Sequence, residues 1–237
     1  WESNINNDYK LDNKSLGNIE PNEIINFHSI KKGIKNYLCI LNSDGRFKKV
    51  LFDEDMIKSN RSFAITKLKN NIKTIDSFIA NEEKNLIILT SIGRIFKFKL
   101  SNKFLMPSTK QSQGLILAKL LPTEKIVSCC QNQDGENIYL ISKIGKIFCI
   151  NSNEIYYSSE YSLGYLNNST QLKNDCFLKI LPSNHYLDVE TNKNKSFRLN
   201  LDQLNCKSNK TNFLIDFLKL EKDEHIENCF QHEIFLN

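Results

Sequence analysis

A period of about 50 residues runs through this chain and leaves few folds open to it. Four segments share it: Tyr37–Val50, Leu86–Lys99, Ile138–Ile150 and Tyr186–Leu199. Each is a run rich in β-branched and aromatic residues, a short polar turn, and a second such run, which predicts a β-hairpin. The turn glycines Gly45, Gly93 and Gly145 stand 48 and 52 residues apart, and Asn194 follows 49 later. Glycine, with asparagine next, is what a turn with positive φ selects.

A second marker keeps the same period. A polar turn precedes an apolar run at Glu23, Asn71, Glu124, Asp175 and Glu224, spaced by 48, 53, 51 and 49 residues. Upstream of several of these, a polar loop closes on glycine, at Gly17, Gly114 and Gly164. No run keeps a 3.6-residue amphipathic period over three turns; Leu214–Leu220 comes nearest, and the repeat places it in a strand. Four β elements per repeat predict an all-β, propeller-like array of five blades or a broken ring. It forms a single domain with units of roughly 1–36, 37–84, 85–136, 137–184 and 185–237. The chain opens at Trp1 without a methionine, and one hairpin is expected upstream in a longer polypeptide. That loss should make Trp1–Leu16 the least protected segment to hydrogen exchange.

Composition narrows the function classes. The chain is 40% hydrophobic and 25% charged, which excludes a disordered tail, a collagen-like fibre or a helical membrane bundle. No apolar run reaches the roughly 18–20 residues of a membrane span. Seven cysteines include no Cys-x-x-Cys pair, and most sit among Ile, Leu and Phe. Such thiols behave as small core hydrophobes, and a reducing compartment is expected.

Charge is distributed unevenly. Between Arg46 and Lys119 there are 15 basic and 6 acidic residues, a local +9, against −4 in the remainder. Arg46, Arg94, Lys146 and Lys195 directly follow the turn residue, and Lys49, Lys97 and Arg198 recur further along the same strand. With the neighbours Lys48 and Lys99 and the loop residues Lys58, Arg61, Lys110 and Lys119, they predict a basic stripe along one rim. Such a stripe suits a phosphate backbone. The chain has only four arginines, and three fall in these repeated places. The plainer reading is that the second strand of each hairpin turns charge to solvent. On either reading, replacing Arg46, Lys49, Arg94 and Lys97 by Gln should move stability little. Tyr156, Tyr157 and Tyr161 occupy the corresponding loop of the third unit with no Lys or Arg between them. One reading stacks them on sugars or bases, the favoured one packs them between blades, and that unit is expected to take a smaller share in binding. His225, Cys229 and His232 do not share one face of a strand, and no metal is expected there. No catalytic constellation or phosphate-cradling loop recurs, and neither a catalytic centre nor a cofactor is expected in this domain.

The best unit combines Leu89–Lys97, the loop end Gln113-Gly114-Leu115, and Lys119–Ile126. It resembles the C-terminal β-pinwheel of type IIA topoisomerase A subunits, those of DNA gyrase and topoisomerase IV. The resemblance covers about Leu16 to Phe230. It implies a module that binds and bends or wraps duplex DNA around a basic outer rim with little sequence preference. It also implies that the DNA-cleaving tyrosine belongs to another region of an ATP-dependent enzyme. The implied partners are double-stranded DNA, the catalytic domain of the same chain and the ATPase subunit of the holoenzyme, with no membrane. The implied location is the bacterial cytoplasm at the nucleoid, with a plastid as the alternative. The loops Asp12–Gly17 and Thr109–Gly114 lack the glutamine-, arginine- and glycine-rich box of gyrase pinwheels, which favours a topoisomerase IV-like or degenerate pinwheel. A competing expectation is a propeller for protein–protein interaction, which the acidic last unit would suit.

Overall fold

Strands and turns account for nearly all of the regular structure in a computed structural model of the chain. It describes residues 33–52, 71–110, 112–166, 174–183, 185–201, 213–216 and 218–233, with single positions at 28, 64–66, 68, 69, 172 and 204. The first described unit holds β1 (Asn36–Asn42), β2 (Arg46–Phe52) and β3 (Thr74–Ile79). The second holds β4 (Asn85–Thr90), β5 (Arg94–Lys99), β6 (Leu115–Ile116) and β7 (Ile126–Asn132). In the third, β8 (Asn137–Ser142) and β9 (Lys146–Asn151) precede a 3₁₀ turn at Ser152–Glu154, then β10 (Tyr165–Leu166) and β11 (Phe177–Pro182). The fourth comprises β12 (His185–Thr191), β13 (Ser196–Asn200), β14 (Phe213–Asp216) and β15 (Ile226–Glu233). Among the described residues there is no α-helix, hence none long and apolar enough to cross a membrane.

The four hairpins turn where the repeat placed them. Gly45, Gly93, Gly145 and Asn194 have φ of 80°, 89°, 83° and 58°. At Asn42, Thr90 and Thr191 the hairpin's first strand shifts register against its other neighbour while staying paired with it. The second marker is also real but stands one residue away from the alignment read in the sequence. Asn71, Thr123, Asn174 and Asp223 are the equivalent left-handed residues, with φ of 69°, 73°, 55° and 64°. The backbone N–H groups of Ser43, Ser91, Lys143 and Asn192 donate to the carbonyls of Lys73, Lys125, Cys176 and His225 in matching fashion. The first-unit counterpart of Glu124 is therefore Ile72, not Asn71.

The sheets are not built from single units. Their strand orders are β3-β1-β2-β6, β10-β5-β4-β7, β11-β8-β9-β14 and β13-β12-β15. Each of the first three blades receives an outer strand from the unit that follows: β6 joins β2, β10 joins β5 and β14 joins β9. At the opposite edge, β3, β7 and β11 of successive blades lie against one another. The exchanged strands therefore form the outer perimeter. The two glycines before β6 and β10 permit this approach. A Cβ on Gly114 would lie 2.4 Å from the Phe47 carbonyl oxygen, and one on Gly164 2.7 Å from the Phe96 ring.

Alternate residues of each central strand feed two different cores. Leu86 and Ile88 of β4 pack with Cys39, Leu41 and Phe47 of the first blade. Ile87 and Leu89 pack with Ile138, Leu140 and Phe148 of the third. In turn, Tyr139 and Ile141 pack with Leu187, Val189 and Leu199 of the fourth. This double burial explains why β4 is buried along its whole length. Cys39 and Cys130 are buried free thiols, and desolvation pushes both up to about 12. Cys149 departs from the expectation of reduced thiols, because it is disulfide-bonded. The segment Trp1–Leu16, the loop Asp12–Gly17, and Lys58 and Arg61 lie outside the described residues.

Candidate nucleic-acid interface

The cations that directly follow the hairpin turns are held mostly by carboxylates. Arg94 is buried. Its Nε donates to Glu124 Oε1 at 2.8 Å, its Nη2 to Glu124 Oε2, and its guanidinium also reaches the carbonyls of Lys119 and Leu163 at 2.8 and 2.6 Å. Burial pushes the Glu124 carboxyl up, but hydrogen bonds from Arg94, the Leu121 N–H and Thr90 hold it below the usual carboxylate range. Lys195 repeats the arrangement with Glu221 and Glu224 at 2.7 and 3.1 Å, nearer to solvent. Those bonds raise the Lys195 pKa and, together with Lys193, lower Glu221 to about 2. Arg46, whose Glu124 counterpart is Ile72, turns instead to Asp44 at 3.1 Å. Lys146 is half-buried.

The cations further along the strand are blade-to-blade clamps. Lys49 Nζ donates to the Leu100 carbonyl at 2.5 Å and to Glu82 at 3.0 Å. One blade on, Lys97 Nζ donates to the Ser152 carbonyl at 2.9 Å and pairs with Asp134 at 2.6 Å. Leu100 and Ser152 are equivalent positions, each following the second hairpin strand of the next blade and donating its own N–H to Lys84 or Glu136. Only 1% and 2% of the Lys49 and Lys97 side chains are exposed. In the third blade Cys149 stands at this position, and in the fourth Arg198. The Arg198 side chain is 69% exposed and paired with Asp188 of its own sheet.

The expected stripe is therefore corrected at four members. Lys48, Lys49, Arg94 and Lys97 are buried and face protein acceptors, not solvent. Lys48 donates to the carbonyls of Ile65, Lys110 and Ser112 at 2.5, 2.5 and 2.7 Å, and burial lowers its pKa. A charge taken out of water is tolerated only when its donors are filled in this way.

Four exposed lysines lie on the perimeter instead. Lys99 and Lys119 are exposed, as are Lys110 and a residue absent from the expected stripe, Lys103. Loop 101–114 ahead of β6 carries Lys103 and Lys110, and loop 152–164 ahead of β10, which has no lysine or arginine, lies beside it. They are fixed to the sheets in the same manner, since Ser108 N donates to the Lys49 carbonyl and Ser158 N to that of Lys97. They are also joined to one another: Tyr161 N donates to the Ile116 carbonyl and Lys119 N to that of Ser162. Neither Lys99, Lys103 nor Lys119 makes an ion pair among the described residues. Each lies within 6 Å of an aromatic ring: Lys99 and Lys103 by Phe104, Lys99 also by Tyr157, and Lys119 by Tyr161. The expected packing of the third-unit tyrosines between blades is met by Tyr157, whose hydroxyl meets Asn85 of the second blade, and not by Tyr156 and Tyr161, which remain 78% and 57% exposed. The clue to the first loop was its alternation of lysine with aromatic residues between Lys97 and Phe104, and the clue to the second its three tyrosines between Tyr156 and Tyr161.

No protein-family model and no curated protein sequence matches the chain. Its fold does match solved structures. It is similar to the C-terminal domain of DNA topoisomerase IV, with TM-score 0.68 and 13% identity over 86% of this chain and 64% of that one. It is also similar to the DNA gyrase A C-terminal domain, with TM-score 0.55 and 20% identity over 75% of this chain and 62% of that one. The E. coli ParC C-terminal domain aligns at TM-score 0.54 and 10% identity, over 84% and 80% of the two chains. The chain thus has the β-pinwheel fold of these domains, and spans less than two thirds of the length of the first two.

Proposed function

We propose that the chain is the DNA-binding module of a type IIA topoisomerase A subunit, and that duplex DNA lies along the perimeter of its first and second blades. The observation that carries the reading is the set Lys99, Lys103 and Lys119, exposed and without carboxylate partners among the described residues, on the fold shared with those C-terminal domains. Lys110 extends the same perimeter. Arg46, Lys146, Lys195 and Arg198 are secondary contacts in this reading, because three of them are already paired with acidic residues. Contact is to phosphates, which gives little base readout, and a curved perimeter bends the duplex it holds. The catalytic domain of the same chain and an ATPase subunit complete the enzyme in this proposal, which belongs at the nucleoid of a bacterium or a plastid. The module itself needs no cofactor for this task.

Fluorescence anisotropy with labelled duplex DNA across a salt series tests the reading. The triple variant K99Q/K103Q/K119Q should weaken binding and reduce the slope of log K against log salt by up to about 0.9 for each phosphate left unneutralised. A wild-type chain that does not bind duplex DNA would hand the assignment to the protein-interaction propeller.

A further inference from the structure

Duplex DNA hides its base faces, so a surface for duplex alone has no use for exposed rings. Around Lys99 this surface nevertheless presents several. The Lys99 ammonium lies 5.6 Å from the Phe104 ring centre and 5.2 Å from that of Tyr157, so one cation stands between two rings. Lys103 is 5.8 Å from the Phe104 ring on the neighbouring loop position. Phe104 is 55% exposed, and Tyr156, beside Tyr157, is more exposed still. The Tyr157 ring is held in place: its hydroxyl lies 3.0 Å from Asn85 Oδ1 and 2.9 Å from Asp134 Oδ2, and Lys97 sits 4.6 Å from its centre. The group is therefore a rigid ring, a cation and a second ring, drawn from loops 101–114 and 152–164 and the end of β5.

We infer that Phe104, Lys99 and Tyr157 form a subsite for two consecutive unpaired nucleotides, with a base against each ring and the intervening phosphate on Lys99. Lys103 takes the next phosphate. Stacking on aromatic faces beside a basic track is the general means of holding single-stranded nucleic acid without reading its sequence, since every base has a π-face. The acidic groups nearby do not oppose this. Asp134 is engaged by Lys97, Asn85 and Tyr157, and Glu160 borders the cleft on the side of Lys103 and Phe104, where it sets one limit of the track. The subsite rests on the proposed duplex surface for its lysines but differs from it in using the rings.

The experiment measures anisotropy of the whole chain with a labelled oligothymidylate and, separately, with a duplex of equal length. Wild type should bind both. Phe104→Leu keeps an apolar residue at an exposed site while removing the ring; it should weaken oligothymidylate about tenfold and leave the duplex unchanged. Lys99→Gln should weaken both ligands. Tyr157→Leu should behave as Phe104→Leu, provided that the far-ultraviolet circular dichroism is preserved; if it is not, Phe104→Leu decides alone. Unchanged oligothymidylate affinity in Phe104→Leu, or no binding of oligothymidylate by wild type, overturns the inference. Binding of oligothymidylate without binding of duplex would support the subsite and overturn the duplex proposal.

Discussion

The second and fourth blades carry the same hairpin, yet face their surroundings differently. In the second blade, Ile87, Leu89 and Ile95 point toward the following blade and are wholly buried. The equivalent residues of the fourth blade are Asp188, Glu190 and Ser196, as the register Ile88↔Phe96 and Val189↔Phe197 shows. Lys97 crosses to the next blade, whereas Arg198 folds back onto Asp188. The second blade receives β10 at its outer edge; among the described residues β13 receives no strand. A repeat with apolar faces on both sides is an internal unit, and one with a polar outer face has the character of a cap. The same basic position therefore means a clamp where a neighbour packs against it and a solvated ion pair where, among the described residues, none does.

The comparison breaks most sharply at the turn cation. Arg94→Ala leaves Glu124 buried without its partner and should cost about 3–5 kcal/mol, read from urea unfolding. Lys195→Ala, its solvent-facing equivalent, should shift the midpoint far less. Equal losses at the two sites would remove the distinction between the blades. Next in size are the clamps. Lys97→Gln strands the Ser152 carbonyl and should cost about 1–3 kcal/mol, while Arg198→Gln should barely move the midpoint, as exposed substitutions do. Gly164→Ala sets a methyl group against Phe96 at positive φ and should cost more than the roughly 1 kcal/mol gained at unstrained sites. Asn194→Gly, at a turn that already tolerates φ of 58°, should change stability by about a few tenths of a kcal/mol.

Acid should also separate the two regions. The hydrogen bond from Lys97 holds the Asp134 carboxyl below the usual range, with those from Tyr157 and Asn85 adding to it. A carboxyl whose pKa falls on folding contributes stability above its unfolded value and loses it as pH falls through its folded value. The loss attached to Asp134 should thus begin below about pH 4, and Asp134→Asn should flatten that part of the stability curve. In the fourth blade, Lys195 and Lys193 lower Glu221 to about 2, so its contribution should fade as pH drops from the ordinary glutamate value toward about 2. Because those side chains are exposed, added salt should erase the Glu221 effect first. Thermal unfolding from acid to neutral pH, at low and high salt, measures both.

Much of the array was legible because turns obey local rules. Glycine or asparagine at 45, 93, 145 and 194 announced positive φ, and Leu214 lies in a strand, Phe213–Asp216, as the repeat requires. The exchange of strands was not legible. β6 and β10 are two residues long, and nothing local says which sheet a dipeptide will join. The basic stripe misled for a related reason: in isolation a lysine on a strand reads as solvated, and only the neighbouring blade supplies Leu100, Ser152, Glu82 or Asp134 as acceptors. A warning was present in the flanks, since Lys97 lies between Phe96 and Phe98 in a strand that is buried up to Lys99. The expectation that Gln at positions 46, 49, 94 and 97 would leave stability nearly unchanged therefore fails at its three buried members, Lys49, Arg94 and Lys97.

The central claim is that Lys49 and Lys97 hold successive blades together, while the perimeter lysines meet DNA. One paired measurement tests it: duplex affinity over a salt series and urea midpoint, on Lys49→Gln/Lys97→Gln and on K99Q/K103Q/K119Q. The account predicts a lowered midpoint with the salt slope retained by the folded first variant, and a retained midpoint with a reduced slope in the second. A first variant that unfolds like wild type but loses its salt slope would contradict it.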